Sequence, residues 1–147
     1  MGLSQEIDRL YYNVVLNELD MMNGSSQFPN ITYNSLLYLD LISMTENCTV
    51  SHLASILHIA KSSVTLKVNE LMKQGLVQKR QSQEDRRIHY LSVSPEIYEE
   101  YKHFDRVTQL AIQKLEAEYS PEEIRLLSKM LHKFSDFYAN EQEPGGK

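Results

Sequence analysis

Apolar residues recur at helical spacing through two stretches between Thr49 and Gly75, then give way to two short strand-like runs. In Val50–Leu57, the residues Leu53, Ala54 and Leu57 share one face, and Thr49 precedes them in position to cap the free amides. His58-Ile59-Ala60 makes a turn. From Lys61 to Gln74 the stripe is Val64, Val68, Leu71 and Met72, which leaves Ser62, Ser63, Leu66, Asn69, Glu70 and Lys73 facing away. Gly75 is the residue type that closes a helix in a left-handed turn. After it, Leu76–Arg80 and Arg86–Val93 are predicted strands around a hydrophilic tip, Gln81–Asp85.

Helices are predicted on both sides of this stretch. Residues 6–22 carry Ile7, Leu10, Tyr11, Val14 and Leu19 near helical spacing, residues 23–30 read as a loop, and Thr32–Met44 forms the next helix. Downstream, Ser94-Pro95 is a cap followed by a first-turn proline, opening a helix with Ile97, Tyr101, Phe104, Ala111 and Leu115 that ends near Tyr119. Ser120-Pro121-Glu122-Glu123 holds a second such start with a capping-box glutamate, and Ile124, Leu127, Leu131, Phe134 and Tyr138 follow. Residues 140–147, with Pro144-Gly145-Gly146, are predicted to be a disordered tail.

Two helices, a tight turn and a charged hairpin in this order predict a mainly α fold with a small β-hairpin wing. The predicted winged helix-turn-helix domain is 31–94, and residues 1–30 and 95–139 form the helical region around it. A helix buried on one side and furnished with hydroxyls and lysines on the other can lie in a major groove of double-stranded DNA. Ser62, Ser63 and Thr65 sit in its first turn and a half, within reach of base edges, and Lys61 and Lys67 flank them as phosphate partners. An arginine at the hairpin tip is narrow and flat enough for a minor groove. Asp85, two residues before Arg87, is spaced to fix that guanidinium, with Arg86 beside it.

Charge sharpens this picture. The net charge of −5 argues against a nucleic-acid partner until its distribution is seen. Residues 61–90 hold seven lysines and arginines against three acids, a local +4, leaving −9 on the rest; residues 1–60 hold one basic residue, Arg9. A focused basic stretch on an acidic chain is the electrostatic pattern of phosphate binding.

Residues from about 31 to 94 resemble the multiple-antibiotic-resistance regulator (MarR) family of bacterial transcription factors. The similarity lies in Ile59-Ala60-Lys61-Ser62-Ser63-Val64-Thr65, in Leu71–Val77, in Glu84-Asp85-Arg86-Arg87 with Leu91-Ser92, and in Ile31–Leu39. Ala60 departs from it by standing where a capping serine is common. Leu66 and Lys67 depart too, standing where an outward base and an inward apolar residue are usual. The resemblance implies a repressor that binds a pseudo-palindromic operator as a homodimer, the outer helices of two copies interlocking. Apolar residues in those helices beyond what a module of about 60 residues can cover agree with that, and two-fold symmetry suits two half-sites. It also implies a small aromatic or amphipathic effector in a cleft between the dimer helices and the winged module, bordered by Tyr11, Tyr12, Tyr33 and Tyr38.

Other chemistries find little footing. The chain shows no glycine-rich phosphate loop, His-Glu-x-x-His or nucleophile elbow, so an enzyme and a cofactor are not expected. Glu99-Glu100 and Glu122-Glu123 are helix neighbours that diverge by about 100°. Glu99 and His103 could share a metal, but Glu46, Cys48, His52 and His132 lack ligand spacing, so no metal site is expected and a metal-sensing regulator is an alternative. Cys48 reads as a small buried hydrophobe. No membrane span or secretory leader is expected, which makes the cytoplasm the default location. A protein-interaction module on the same fold is the remaining alternative.

Overall fold

The computed structural model describes residues 2–24 and 31–142. Among them the order is α1 (Leu3–Gly24), α2 (Tyr33–Met44), α3 (Val50–Leu57), α4 (Lys61–Lys73), β1 (Val77–Gln81), β2 (His89–Val93), α5 (Pro95–Glu118) and α6 (Pro121–Gln142). The predicted mainly helical chain with one antiparallel hairpin is what these residues form. Helix α1 takes in Asn23 and Gly24, which the sequence assigned to a loop; residues 25–30 of that loop lie outside the described residues. Helix α6 runs to Gln142, so residues 140–142 are helical and not part of a disordered tail. Asn140, Glu141 and Gln142 contain no helix breaker, and Pro144 is the first residue that cannot continue the helix. Residues 143–147 lie outside the described residues.

Side chains set the helix starts. Thr32 Oγ1 accepts from the Ser35 amide at 3.1 Å, and Thr49 Oγ1 from the His52 amide at 3.1 Å. At Ser120 the box is reciprocal: its amide donates to Glu123 Oε2 at 2.8 Å and its Oγ accepts from the Glu123 amide at 3.3 Å. These bonds to Ser120 hold the Glu123 carboxyl below its ordinary range. Ala60 begins α4 with no side-chain cap, as its lack of a hydroxyl requires.

The chain forms two compact units, one through Phe104 and one from Asp105 onward. The first has a core in which Leu36 and Leu39 of α2, Leu53 of α3, and Val64, Val68 and Leu71 of α4 are buried. Each such aliphatic side chain contributes about 1.5–3 kcal/mol when fully withdrawn from water. The predicted stripe of α4 is therefore its inner face. His58 takes the left-handed conformation, φ 54°, and its amide caps α3 at the Ala54 carbonyl, turning the chain into α4. Strands β1 and β2 pair from Val77↔Val93 to Gln81↔His89, placing Val77 and Leu91 in the same core. Cys48 extends the hairpin by one bridge, its carbonyl accepting from the Leu91 amide at 2.7 Å. Its thiol is wholly enclosed and burial pushes its pKa up, as suits a small hydrophobe. Tyr101, near the start of α5, donates to Asp40 Oδ1 of α2 at 2.5 Å. Burial raises the pKa of both groups.

The second unit is the remainder of α5, the turn at Tyr119-Ser120, and α6. No side chain of α6 is buried. Phe134 and Tyr138 stack one helical turn apart at 6.1 Å between ring centroids, and both remain exposed.

Candidate nucleic-acid interface

Burying Val64, Val68 and Leu71 fixes the rotation of α4, so its other face is turned to solvent by the geometry of the helix. Lys61, Ser62, Ser63 and Thr65 are all exposed there, at the N-terminal end, where the amides of the first turn and the helix dipole favour an anion. The missing cap at Ala60 leaves those amides without an internal side-chain acceptor.

Lys67 differs from the other lysines. Its side chain is only 14% exposed, and its ammonium lies 3.4 Å from both carboxylate oxygens of Glu70. One residue from Val68 and three from Val64, it sits at the margin of the inner stripe, where an aliphatic stem is covered and only the charged end reaches water. Lys67, expected beside Lys61 as a phosphate partner, thus has a mostly covered stem and a nearby carboxylate in the single chain. The neighbouring Leu66 is 73% exposed.

The hairpin tip is longer than the sequence suggested. Arg86, Arg87 and Ile88 were expected to start the second strand, but β2 begins at His89. Beyond the Ser82 amide, which donates to the Ile88 carbonyl at 2.8 Å, a network of local bonds turns the intervening backbone. Ser82, almost wholly buried, accepts the amides of Glu84 and Asp85 at 3.3 Å each, and the Ile88 amide donates to the Asp85 carbonyl at 2.9 Å. Gln81 Nε2 donates to the Arg86 carbonyl at 2.7 Å. Sequence reasoning missed Ser82 and Gln81; the serine followed at two and three residues by acidic turn formers was the signal available for the first.

This tip presents Arg87. Asp85 Oδ1 accepts from the Arg87 amide at 3.0 Å and from Nε at 3.1 Å, and Oδ2 accepts from Nη2 at 3.1 Å. The side chain of Arg87 is 90% exposed in spite of these bonds. The guanidinium and amide of Arg87 hold the Asp85 carboxyl below its ordinary range, so the clasp stays ionised at neutral pH. The predicted pairing of Asp85 with Arg87 is present as a two-pronged bond. Arg86, Lys73, Lys79 and Arg80 are exposed too, Arg80 lying 5.2 Å from the centre of the Tyr90 ring.

The four tyrosines expected at an effector cleft separate. Tyr11 and Tyr33 line a cavity of about 300 Å³ between α1 and α2, together with Val14, Glu18, Leu37 and Asp40. Tyr33 Oη donates to Glu18 Oε2 at 3.5 Å, and burial raises the Glu18 pKa, with Asp40 adding to it. Tyr38 is enclosed in the core at 3% exposure, because α2 is apolar on nearly every side and this ring takes a packing position. Tyr12 is exposed and is not among the cavity's lining residues. Glu18 and Asp40 were not foreseen there. Among the described residues no group of three or more His, Cys, Asp or Glu side chains could hold a metal, and no helix is long and apolar enough to cross a membrane. The side chain of His103, paired with Glu99 in the sequence reading, lies outside the described residues.

Residues 31–89 match the model of the MarR family. The whole chain is similar to the crystal structure of Streptococcus pneumoniae FabT in complex with DNA. The TM-score is 0.69 at 22% identity, over 95% of this chain and 97% of that one. It is also similar to the adhesin competence repressor AdcR from Streptococcus pyogenes, at 0.58 and 22%, over 94% and 98%. A third similar structure is a mutant of S. aureus MepR, at 0.59 and 14%, over 94% and 96%. No curated protein matches the chain.

Proposed function

From the match of residues 31–89 to the MarR family model we propose that this chain is a MarR-type DNA-binding transcriptional repressor acting as a homodimer on a pseudo-palindromic duplex. The observation that carries the reading is the wing tip, where an arginine 90% exposed is held in one direction by two bonds to Asp85. A guanidinium so displayed suits a narrow minor groove. The exposed hydroxyls and lysine at the start of α4 suit the adjacent major groove and its phosphates. That a similar structure holds DNA supports the same reading.

Two copies are called for by the outer helices. Leu126, Met130, Leu131, Phe134 and Phe137 of α6 are each at least 40% exposed in the single chain, a density of apolar surface that a second copy would cover. The cavity at Tyr11 and Tyr33 is the site proposed for a small amphipathic effector that releases the duplex. It is near the small end of the usual range for ligand pockets.

A titration of one selected duplex and one scrambled duplex across a salt series tests the proposal. The selected duplex should bind more tightly at every salt, and its affinity should fall as salt rises, because lysines and arginines displace counterions. Equal affinities for the two throughout would remove sequence recognition. Binding to both that ignores salt would favour a protein-interaction role.

A further inference from the structure

The outward face of α4 carries one exposed leucine, Leu66. We propose that Leu66 is a specificity residue that packs against the C5-methyl group of a thymine in the major groove; this rests on the DNA-binding reading above. Two observations lead there. Leu66 is 73% exposed, although its helix has a complete buried stripe that could have absorbed an apolar side chain. It stands one turn beyond Ser62 and Ser63 and one turn before Asn69, so it occupies the middle of the outward face, not its rim. A large apolar group in the centre of a face that otherwise offers hydroxyls, an amide and the charged ends of Glu70 and Lys73 has one apolar complement in a major groove, the thymine methyl. The same position gives no donor pair for guanine, which an arginine there would supply.

The proposal is tested with duplexes taken from a random-sequence selection with the full-length protein. Each thymine of the preferred half-site is replaced by deoxyuridine, which removes the methyl and leaves the base pairing intact. The parent should lose affinity at one thymine, by about 4-fold for one half-site and about 15-fold when both are changed, the scale of one buried methyl group. L66A should bind the parent duplex more weakly and show no change at that thymine. Because Leu66 lies on the surface, L66A should keep the helicity and thermal midpoint of the parent, and this is checked on the same samples. A parent indifferent to every replacement overturns the proposal while leaving DNA binding in place, and so does an L66A protein that keeps the full deoxyuridine effect. A selection that returns no preferred sequence overturns the DNA-binding reading and Leu66 with it.

Discussion

The winged module and the helical pair at the C-terminal end are built from similar amounts of apolar residue, but they spend it differently. In the module, Leu39, Leu53, Val64 and Leu71 are withdrawn completely from water, while α6 buries none of its side chains. A helix needs tertiary packing of its apolar face far more than it needs propensity. The module closes a core of its own, and in the proposed role α6 is completed by a second copy. The region that touches DNA in the proposed role is the one whose stability does not depend on a second copy.

The largest effect is expected from attacking that difference directly. Changing Leu131 and Phe134 together to glutamate should leave the protein monomeric by analytical ultracentrifugation at concentrations where the parent is a dimer, with operator binding weakened by about 100-fold or more, since each side chain is worth about 1.5–3 kcal/mol of burial. If the double variant stays dimeric, α6 is not the association surface. The reverse experiment is L71A, which opens a cavity in the closed core and should cost about 2–5 kcal/mol in chemical denaturation without changing the dimer equilibrium. A loss below about 0.5 kcal/mol would mean that the module is loosely packed after all.

Smaller effects sharpen the functional side. R87A should weaken operator binding by about 10-fold or more with stability unchanged, and D85A by a smaller factor, because the guanidinium remains but loses its direction. Binding by R87A within about twofold of the parent, at about 150 mM salt, would remove the wing from the interface. Last comes A60S, which adds a hydroxyl where α4 has no side-chain cap. It should raise the unfolding free energy by about 1 kcal/mol in the denaturant titration, and no change would mean that solvent already satisfies those amides.

Much of the module was legible because its elements are bounded by local chemistry. Thr49 and His58 delimit α3 at the expected Val50–Leu57, and the spacing of Val64, Val68 and Leu71 fixed which face of α4 turns inward. Where tertiary contacts decide, the sequence was a poorer guide. Tyr38 was placed at a cleft by the family resemblance, although tyrosine at helical spacing is more often core, and the packing around α2 puts it inside. Lys67 was read as a phosphate partner, and only packing beside the inner stripe shows how far its stem is covered. The wing arginines looked like strand because Ile88, Tyr90 and Leu91 suit one; instead the Ile88 amide donates to the Asp85 carbonyl and closes a turn around them. The partners of the tyrosine-lined cavity, Glu18 and Asp40, are 22 residues apart in sequence and had no local signal.

The clasp at the wing tip bears on how tightly bound DNA would be held and for how long. An arginine on a flexible loop samples many rotamers in the free protein, and fixing it in a groove forfeits that freedom at the moment of binding. Arg87 enters binding with part of that ordering in place, its guanidinium and its own amide being bonded to a single carboxylate. Asp85 is therefore a reducer of entropy loss as much as a guide. Calorimetry should show D85A binding with a less favourable entropy and little change in enthalpy, and a shorter residence time on the duplex should follow.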